Sequence, residues 1–287
     1  MVYVNGRFVP PEKAQIPVAD RAFLFADGVY EVIFGRAGRF AFWDLHMARL
    51  TRSAAELEIP LPLDSAGWLA VAKRLWSEGG DSGSIYLEVS RGAAPREHHF
   101  PDRIEPSTVA FIKPASAPES CLGPGVSAVL LEDQRWLRCD IKSVNLLPNV
   151  LAREEARRRG AREAILVRDG MLTEGAATNL FVVRQGELWT HPANHLVLAG
   201  ITRHVILEEA RRLDLKIRLE PYAKADLAQA DEIFVTGTTS HLLPIAEIRD
   251  EWRAKGPGPI TAQLHDAYWR RLTTELEPAA SAAASAG

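Results

Sequence analysis

A two-domain fold of mixed α/β type (α+β) is what these 287 residues predict, on three observations. Segments with the two-residue alternation of strands are interleaved with segments whose apolar residues recur at helical spacing. Near the middle, the stretch 114–124, Pro-Ala-Ser-Ala-Pro-Glu-Ser-Cys-Leu-Gly-Pro, interrupts every periodic pattern, as an interdomain linker does. The length, with 47% hydrophobic and 25% charged residues, suits two substantial cores and neither a fibre nor a disordered chain.

Each element has its own signal. In residues 2–9, Asn5-Gly6 stands between β-prone triplets, the strongest short-range mark of a two-residue hairpin turn. Strands are expected at 29–34 and 40–42. Asp64 is placed as an N-cap, because Trp68, Val71, Ala72 and Leu75 then recur at i, i+3, i+4 and i+7 as the stripe of a helix packed on a sheet. Ile85, Leu87 and Val89 alternate with Tyr86, Glu88 and Ser90 as in a half-buried strand, and 109–112 makes another. Residues 1–117 therefore form a small N-terminal α/β domain and 118–124 its linker. The larger domain, 125–277, opens with the apolar strand 126–131. It has hairpin signals at Asp169-Gly170 and Gln185-Gly186, helices after Asn149 and Gly200, and a last helix over 261–276. The alanine- and serine-rich tail, 278–287, is low in complexity and expected to be disordered.

Charge and composition exclude several classes. A net charge of −3 is too small to imply nucleic acid or an anionic membrane, and the arginine-rich run 153–162 alternates with acids and alanines as a solvated helix face does. No apolar stretch has spanning length, and Met1-Val-Tyr-Val-Asn-Gly lacks the basic start and apolar core of a signal peptide, so a cytoplasmic location is expected. Cys121 and Cys139 have neither metal-ligand spacing nor the density of a disulfide scaffold, and no metal is expected.

The chemistry concentrates in a few segments. Lys142 lies in Arg135-Trp-Leu-Arg-Cys-Asp-Ile-Lys-Ser-Val-Asn-Leu-Leu-Pro-Asn149, and Glu174 follows a strand in Leu172-Thr-Glu-Gly-Ala-Ala-Thr-Asn-Leu-Phe181. Alone, each is bland, since most lysines are solvated surface charges. Together they suggest pyridoxal phosphate, which needs a lysine amine for its Schiff base and a partner for its ring nitrogen on the other side. Its phosphate calls for a helix N-terminus with hydroxyls nearby. Gly200 precedes a helical run, so the amides of Ile201 and Thr202 are free to face an anion. Val235-Thr-Gly-Thr-Thr-Ser240 is a second hydroxyl-rich turn, with Thr238 placed to bind a phosphate oxygen. Ordinary capping and turn chemistry would explain either string without Lys142 and Glu174.

Four stretches carry a family resemblance: Asp20-Arg-Ala-Phe-Leu-Phe-Ala-Asp-Gly-Val-Tyr-Glu31, Arg91-Gly-Ala-Ala-Pro-Arg-Glu-His-His-Phe-Pro101, the Lys142 segment, and Thr190-His-Pro-Ala-Asn194 leading to Gly200-Ile-Thr. Spread in order over nearly the whole chain, they resemble the fold-type IV (class IV) pyridoxal-phosphate aminotransferases, and within these the D-amino acid branch. The resemblance implies two α/β domains with the cofactor at their interface, and a homodimer. It implies Lys142 as Schiff-base and proton-transfer lysine, with Glu174 at the ring nitrogen. Arg49 is implied at the phosphate beside Ile201, Thr202 and Thr238, and His46 is a candidate support for that site. Tyr30, Arg96 and His98 are implied as a trap for the substrate α-carboxylate, whose position selects the hand of the amino acid. Cys139 is read as a small buried residue near the cofactor.

The implied reaction is transamination between D-alanine or D-glutamate and pyruvate or 2-oxoglutarate. A branched-chain L-amino acid or (R)-amine transaminase, an aminodeoxychorismate lyase of the same fold, and a non-catalytic carrier of the cofactor are the competing readings. Ala176 and Ala177 stand where the D-amino acid branch often carries serines, and Gly237 replaces a hydroxyl-bearing residue.

Overall fold

The computed structural model describes residues 1–77, 81–115, 121–254 and 256–277. Strands β1 (Val2–Val4) and β2 (Arg7–Val9) close around Asn5 and Gly6, whose φ values of 45° and 83° are those a type I′ hairpin turn demands. Helix α1 (Arg21–Phe25) starts at Asp20, whose carboxylate accepts from the Ala22 amide at 2.9 Å. Then come β3 (Gly28–Arg36), β4 (Arg39–Phe40), α2 (Trp43–Glu56), α3 (Ser65–Trp76), β5 (Ser82–Ser90) and β6 (Ser107–Pro114). The six strands form an antiparallel sheet in the order β2-β1-β6-β5-β3-β4. Helices α2 and α3 cover one face, burying Leu50 and Trp68 against Ile33, Ile85 and Leu87. Asp64 caps α3 by accepting from Gly67 N at 2.7 Å, where the apolar stripe placed it.

The rest of the chain builds a ten-stranded sheet. Its elements are β7 (Val126–Glu132), α4 (Leu147–Arg158), β8 (Glu163–Arg168), β9 (Met171–Gly175), β10 (Asn179–Arg184), β11 (Glu187–Trp189), α5 (Ile201–Arg212), β12 (Ile217–Arg218), β13 (Tyr222–Ala223), β14 (Glu232–Gly237), β15 (His241–Ile248), β16 (Trp252–Arg253) and α6 (Pro259–Leu276). The order is β12-β11-β10-β14-β15-β7-β8-β9-β13, with β16 on β15. The pairs β7–β8, β7–β15 and β11–β12 are parallel, and the others antiparallel. Asp169-Gly170 and Gln185-Gly186 make the expected tight turns, all four residues at positive φ. Helices α5 and α6 pack on Phe181 and Phe234, and Phe34 of β3 joins the same cluster with Ala41 and Phe42 from the turn between β4 and α2. One shared core thus ties the two sheets together.

Three boundaries differ from expectation. The strand expected at 40–42 stops at Phe40, because Phe42 turns left-handed (φ 53°) to start α2. Helix α4 begins at Leu147, with Pro148 in its first turn, where a fixed φ and a missing N–H cost nothing. Helix α6 begins at Pro259, and its amides at Ile260 and Thr261 are capped from a distance by Glu232, at 3.1 and 2.7 Å. The expected linker lies partly, and the expected disordered tail wholly, outside the described residues.

Candidate active site

A cleft of about 700 Å³ opens where the two sheets meet. Tyr30, Arg49, Lys142, Glu174, Ile201, Thr202 and Thr238 all line it. The loop 133–146 delivers Lys142 by pairing with β3: Tyr30 N donates to Lys142 O at 3.0 Å and Val144 N to Gly28 O at 3.0 Å. From α2, Ser53 accepts the Lys142 amide at 3.2 Å. The Lys142 ammonium then stands 4.3 Å from the centroid of the Tyr30 ring, which in turn stacks on Tyr86.

Glu174 sits at the end of β9, 5% exposed. Arg135 donates to its Oε1, Asn179 Nδ2 to its Oε2 at 2.8 Å, and the Leu198 amide to both oxygens at 3.2 Å. Burial pushes the carboxyl up to about 7, against the pull of Arg135. A group held on the verge of protonation near neutral pH is suited to sharing a proton with a ring nitrogen. Arg135 itself is fixed by a two-pronged pairing with Asp133, at 2.9 and 2.8 Å.

The phosphate end is built from α5 and the turn between β14 and β15. Gly200 caps α5 without a side chain, leaving the first amides of the helix facing the cleft. A Cβ there would lie 1.9 Å from Asn179 Oδ1, so any larger residue would have to push aside the side chain that also holds Glu174. Nearby, Thr236 Oγ1 and Ser240 Oγ are buried and find no hydrogen-bond partner among the described residues, and Thr236 is 1% exposed. Free amides beside unsatisfied hydroxyls fit an anion such as a phosphate group, and the cleft between that end and Lys142 fits a planar ring. Gly237 adds backbone without bulk, since a Cβ would meet Ser240 Oγ at 2.8 Å.

Arg49 reaches the same end, yet most of its donors are engaged. Nε and Nη2 bind the two oxygens of Glu31 at 2.7 and 2.8 Å, and Nη1 donates to Ala199 O at 3.0 Å. His46 contacts the same carboxylate through Nδ1 at 2.7 Å, so it supports the site through Glu31. Burial works against the Glu31 charge, but Arg49 and His46 outweigh it and hold the carboxyl well below the usual range.

Arg96 and His98 are not brought into this cleft within one chain. Both are exposed and flank the Phe25 ring, the guanidinium 5.1 Å and the imidazole 5.5 Å from its centroid. Their loop is pinned at its base, where Arg91 pairs with Asp27 at 2.8 Å and donates to Leu57 O at 2.6 Å. Arg21 also holds Glu97 O at 2.7 Å. Of the expected carboxylate trap, a single chain therefore presents Tyr30 alone. The run 153–162 is more than a solvated face: Arg157 and Arg159 pair with Glu154 and Glu155 in water, but Arg153, Arg157 and Arg162 also form the outer wall of the cleft. Cys139 is buried and lines the cleft, and burial raises its thiol to about 11.

Sequence reasoning missed Arg135, Asn179, Thr236 and Ser240. Arg135 and Asn179 lie inside the quoted segments, but their pairing with Glu174 spans 39 and 5 residues and has no spacing rule. Among the described residues, no group of three or more His, Cys, Asp or Glu is placed to hold a metal, and no helix is long and apolar enough to cross a membrane.

A mixed α/β fold with a lysine and a buried glutamate on one cleft, ending at an anion-ready helix, defines the fold-type IV class of pyridoxal-phosphate enzymes. The amino-transferase class IV family model matches residues 28–248, and the chain belongs to that family. It is 39% identical over 276 residues to the D-alanine aminotransferase of Bacillus licheniformis, covering 96% of this chain and 98% of that one. Among solved structures it superposes on the Escherichia coli branched-chain amino acid aminotransferase with a TM-score of 0.85, at 25% identity and with 98% and 97% of the two chains covered. The branched-chain aminotransferase of the archaeon Thermoproteus uzoniensis, solved with norvaline, gives 0.85 at 27% identity, with 96% and 95% covered.

Proposed function

We propose that this aminotransferase moves the amino group between D-amino acids of the D-alanine and D-glutamate type and 2-oxo acids such as pyruvate and 2-oxoglutarate. It would do so as a cytoplasmic homodimer with domains at 1–117 and 125–277. The observation that carries this reading is the convergence of Lys142, Glu174 and the open end of α5 on one cleft. Similarity over nearly the full chain to a D-alanine aminotransferase sets the substrate class.

Pyridoxal phosphate, when bound, supplies an electron sink for the bond broken at the substrate α-carbon. This chain's residues do the rest. Lys142 would hold the cofactor through Nζ, and the same Nζ would take the proton from the substrate α-carbon. Glu174 would face the ring nitrogen and keep a proton on it. The Ile201 and Thr202 amides, the Thr202 and Thr238 hydroxyls and the Arg49 guanidinium would bind the phosphate. Tyr30 bounds the substrate side of the cleft, and the Cα–H bond must face Lys142, so the position of the carboxylate site decides which enantiomer reacts.

Arg96 and His98 complete that carboxylate site from a second copy of the chain. Their exposure away from their own cleft supports this arrangement. So do the apolar side chains left in water on the same molecule: Phe23 at 76%, Leu147 at 66% and Leu151 at 57% exposed.

The test is to load the purified protein with cofactor and add D-alanine or L-alanine without an acceptor. Loss of the visible absorbance band with D-alanine alone is expected. Loss with L-alanine alone would move the chain to the branched-chain L-type reading that its solved neighbours represent, and inertness to both would favour an amine, lyase or carrier role.

A further inference from the structure

On one wall of the cleft, three neighbouring strands carry a buried row of alternating charge. Asp133 directly follows β7, Arg168 ends β8, and Thr173 and Glu174 lie on β9, with Arg135 two residues beyond Asp133. Asp133, Arg135 and Glu174 are 7%, 8% and 5% exposed. Arg168 Nη2 stands 3.1 Å from Asp133 Oδ1, Asp133 accepts from Arg135 Nε and Nη2 at 2.9 and 2.8 Å, and Arg135 Nη1 donates to Glu174 Oε1. The Thr173 hydroxyl and the Arg135 amide also donate to Asp133, at 3.0 and 3.1 Å. Arg135 Nη2 reaches Leu196 O at 3.1 Å, in the segment whose Leu198 amide donates to Glu174. With Nε and Nη2 so engaged, the guanidinium cannot turn without breaking these bonds, and Nη1 alone is left for Glu174.

We infer that Arg135, anchored by Asp133, is a positioning residue that holds Glu174 in place in the cleft and able to act there as a carboxylate. The inference rests on the reading of this cleft as a pyridoxal-phosphate site. Arg135 and Leu198 approach Oε1, Asn179 and Leu198 approach Oε2, and Glu174 still lines the cleft. A carboxylate can receive about four hydrogen bonds, so these donors fix it and leave room for one more. Asn179 and Leu198 bring no charge. Among the described residues Arg135 is the one cation hydrogen-bonded to Glu174, while Arg203 and the Cys139 thiol act on it only through space. The charge matters because a glutamic acid that keeps its own proton cannot stabilise one on a ring nitrogen. Burial drives the Glu174 carboxyl toward its acid form and Arg135 opposes this, with Asp133 adding a smaller repulsion on the side of burial. Without the guanidinium, the carboxyl would sit as the acid at neutral pH.

The test reads the Glu174 carboxyl directly, by carbon NMR on cofactor-free protein with isotope-labelled glutamate, the signal being the one lost in Glu174→Gln. Arg135→Met removes the charge and keeps the length, and it should move the titration midpoint to higher pH. Arg135→Lys keeps the charge but not the fork, and its midpoint should fall between those of Arg135→Met and the wild type. In the loaded enzyme, Arg135→Met is expected to lower kcat about tenfold or more with KM for D-alanine near wild type, and Arg135→Lys to recover part of the loss. Midpoints equal to wild type in both variants overturn the inference even if melting temperatures fall, because an arginine that only braces the fold would change stability and leave the titration where it was. A wild-type kcat in Arg135→Met overturns it too. If Arg135→Met does not fold, Arg135→Lys decides alone by the same two readouts. Failure of the wild-type protein to bind pyridoxal phosphate would instead sink the cofactor reading, and is seen before any variant is made.

Discussion

Lys142 and Tyr30 meet twice, once through a backbone hydrogen bond of 3.0 Å and once with the ammonium 4.3 Å from the ring centroid. The first contact fixes where the lysine leaves the loop and the second where its side chain ends. The reactive amine is thereby aimed across the cleft by a strand belonging to the other sheet.

Lys142→Ala should lower transamination by about 1,000-fold, since both attachment of the cofactor and transfer of the α-proton are lost. Its melting temperature should stay close to wild type, because the Nζ makes no buried ion pair among the described residues. Activity assays beside thermal denaturation check both statements, and a variant retaining a tenth of the wild-type rate would rule the assignment out.

Glu174 carries a pH signature. Its carboxyl is raised from 4.5 to about 7 by burial, so the folded chain keeps a proton that the unfolded chain gives up. Stability from this group is full below about pH 4.5 and is lost as pH rises through about 7, worth at most about 3 kcal/mol. Urea unfolding of the cofactor-free protein at pH 5 and pH 8 should show a smaller decline for Glu174→Gln than for wild type. Equal declines would mean that Arg135 keeps the carboxylate charged throughout. In the loaded enzyme, Glu174→Ala should slow turnover far more than it weakens cofactor binding.

Arg96 belongs to the neighbouring active site if the dimer reading holds. Arg96→Ala should raise KM for D-alanine by about tenfold or more and leave cofactor retention alone, as expected for loss of a charge-assisted contact. Mixed dimers of Lys142→Ala with Arg96→Ala contain one fully wild-type site only when the arginine acts in trans. Recovery of activity on mixing is the expected result, and none on mixing would place Arg96 in its own cleft or outside the site altogether.

Gly200→Ala drives a methyl group into Asn179, 1.9 Å from its Oδ1, and Asn179 also holds Glu174 and Leu198 O. Displacing it should cost about 1–2 kcal/mol of stability and weaken the cofactor about tenfold. Asp64→Ala is the control: it removes the cap of α3 and about 1 kcal/mol, with transamination unchanged.

The elements that residue pattern revealed are those whose signal is local. Asn5-Gly6 and Asp64 act on their immediate neighbours, and Lys142, Glu174 and the Gly200-Ile-Thr start are residue types that the chemistry requires beside their own strand or helix. What stayed hidden is non-local. The Glu232 cap on α6 crosses 28 residues to Ile260, and Arg135 meets Glu174 only because β7 and β9 flank the same strand. The resemblance named Arg96 and His98, but no spacing in a single sequence says which copy of the chain a loop will serve.

Arg49 on α2, the helix that covers the first sheet, donates to Ala199 beside α5, and Phe34 and Phe42 are embedded in the core that α5 and α6 make. A swinging motion of one sheet against the other would have to break these contacts, so among the described residues the cleft between the two sheets is held by a guanidinium and an apolar plug that come from the opposite side.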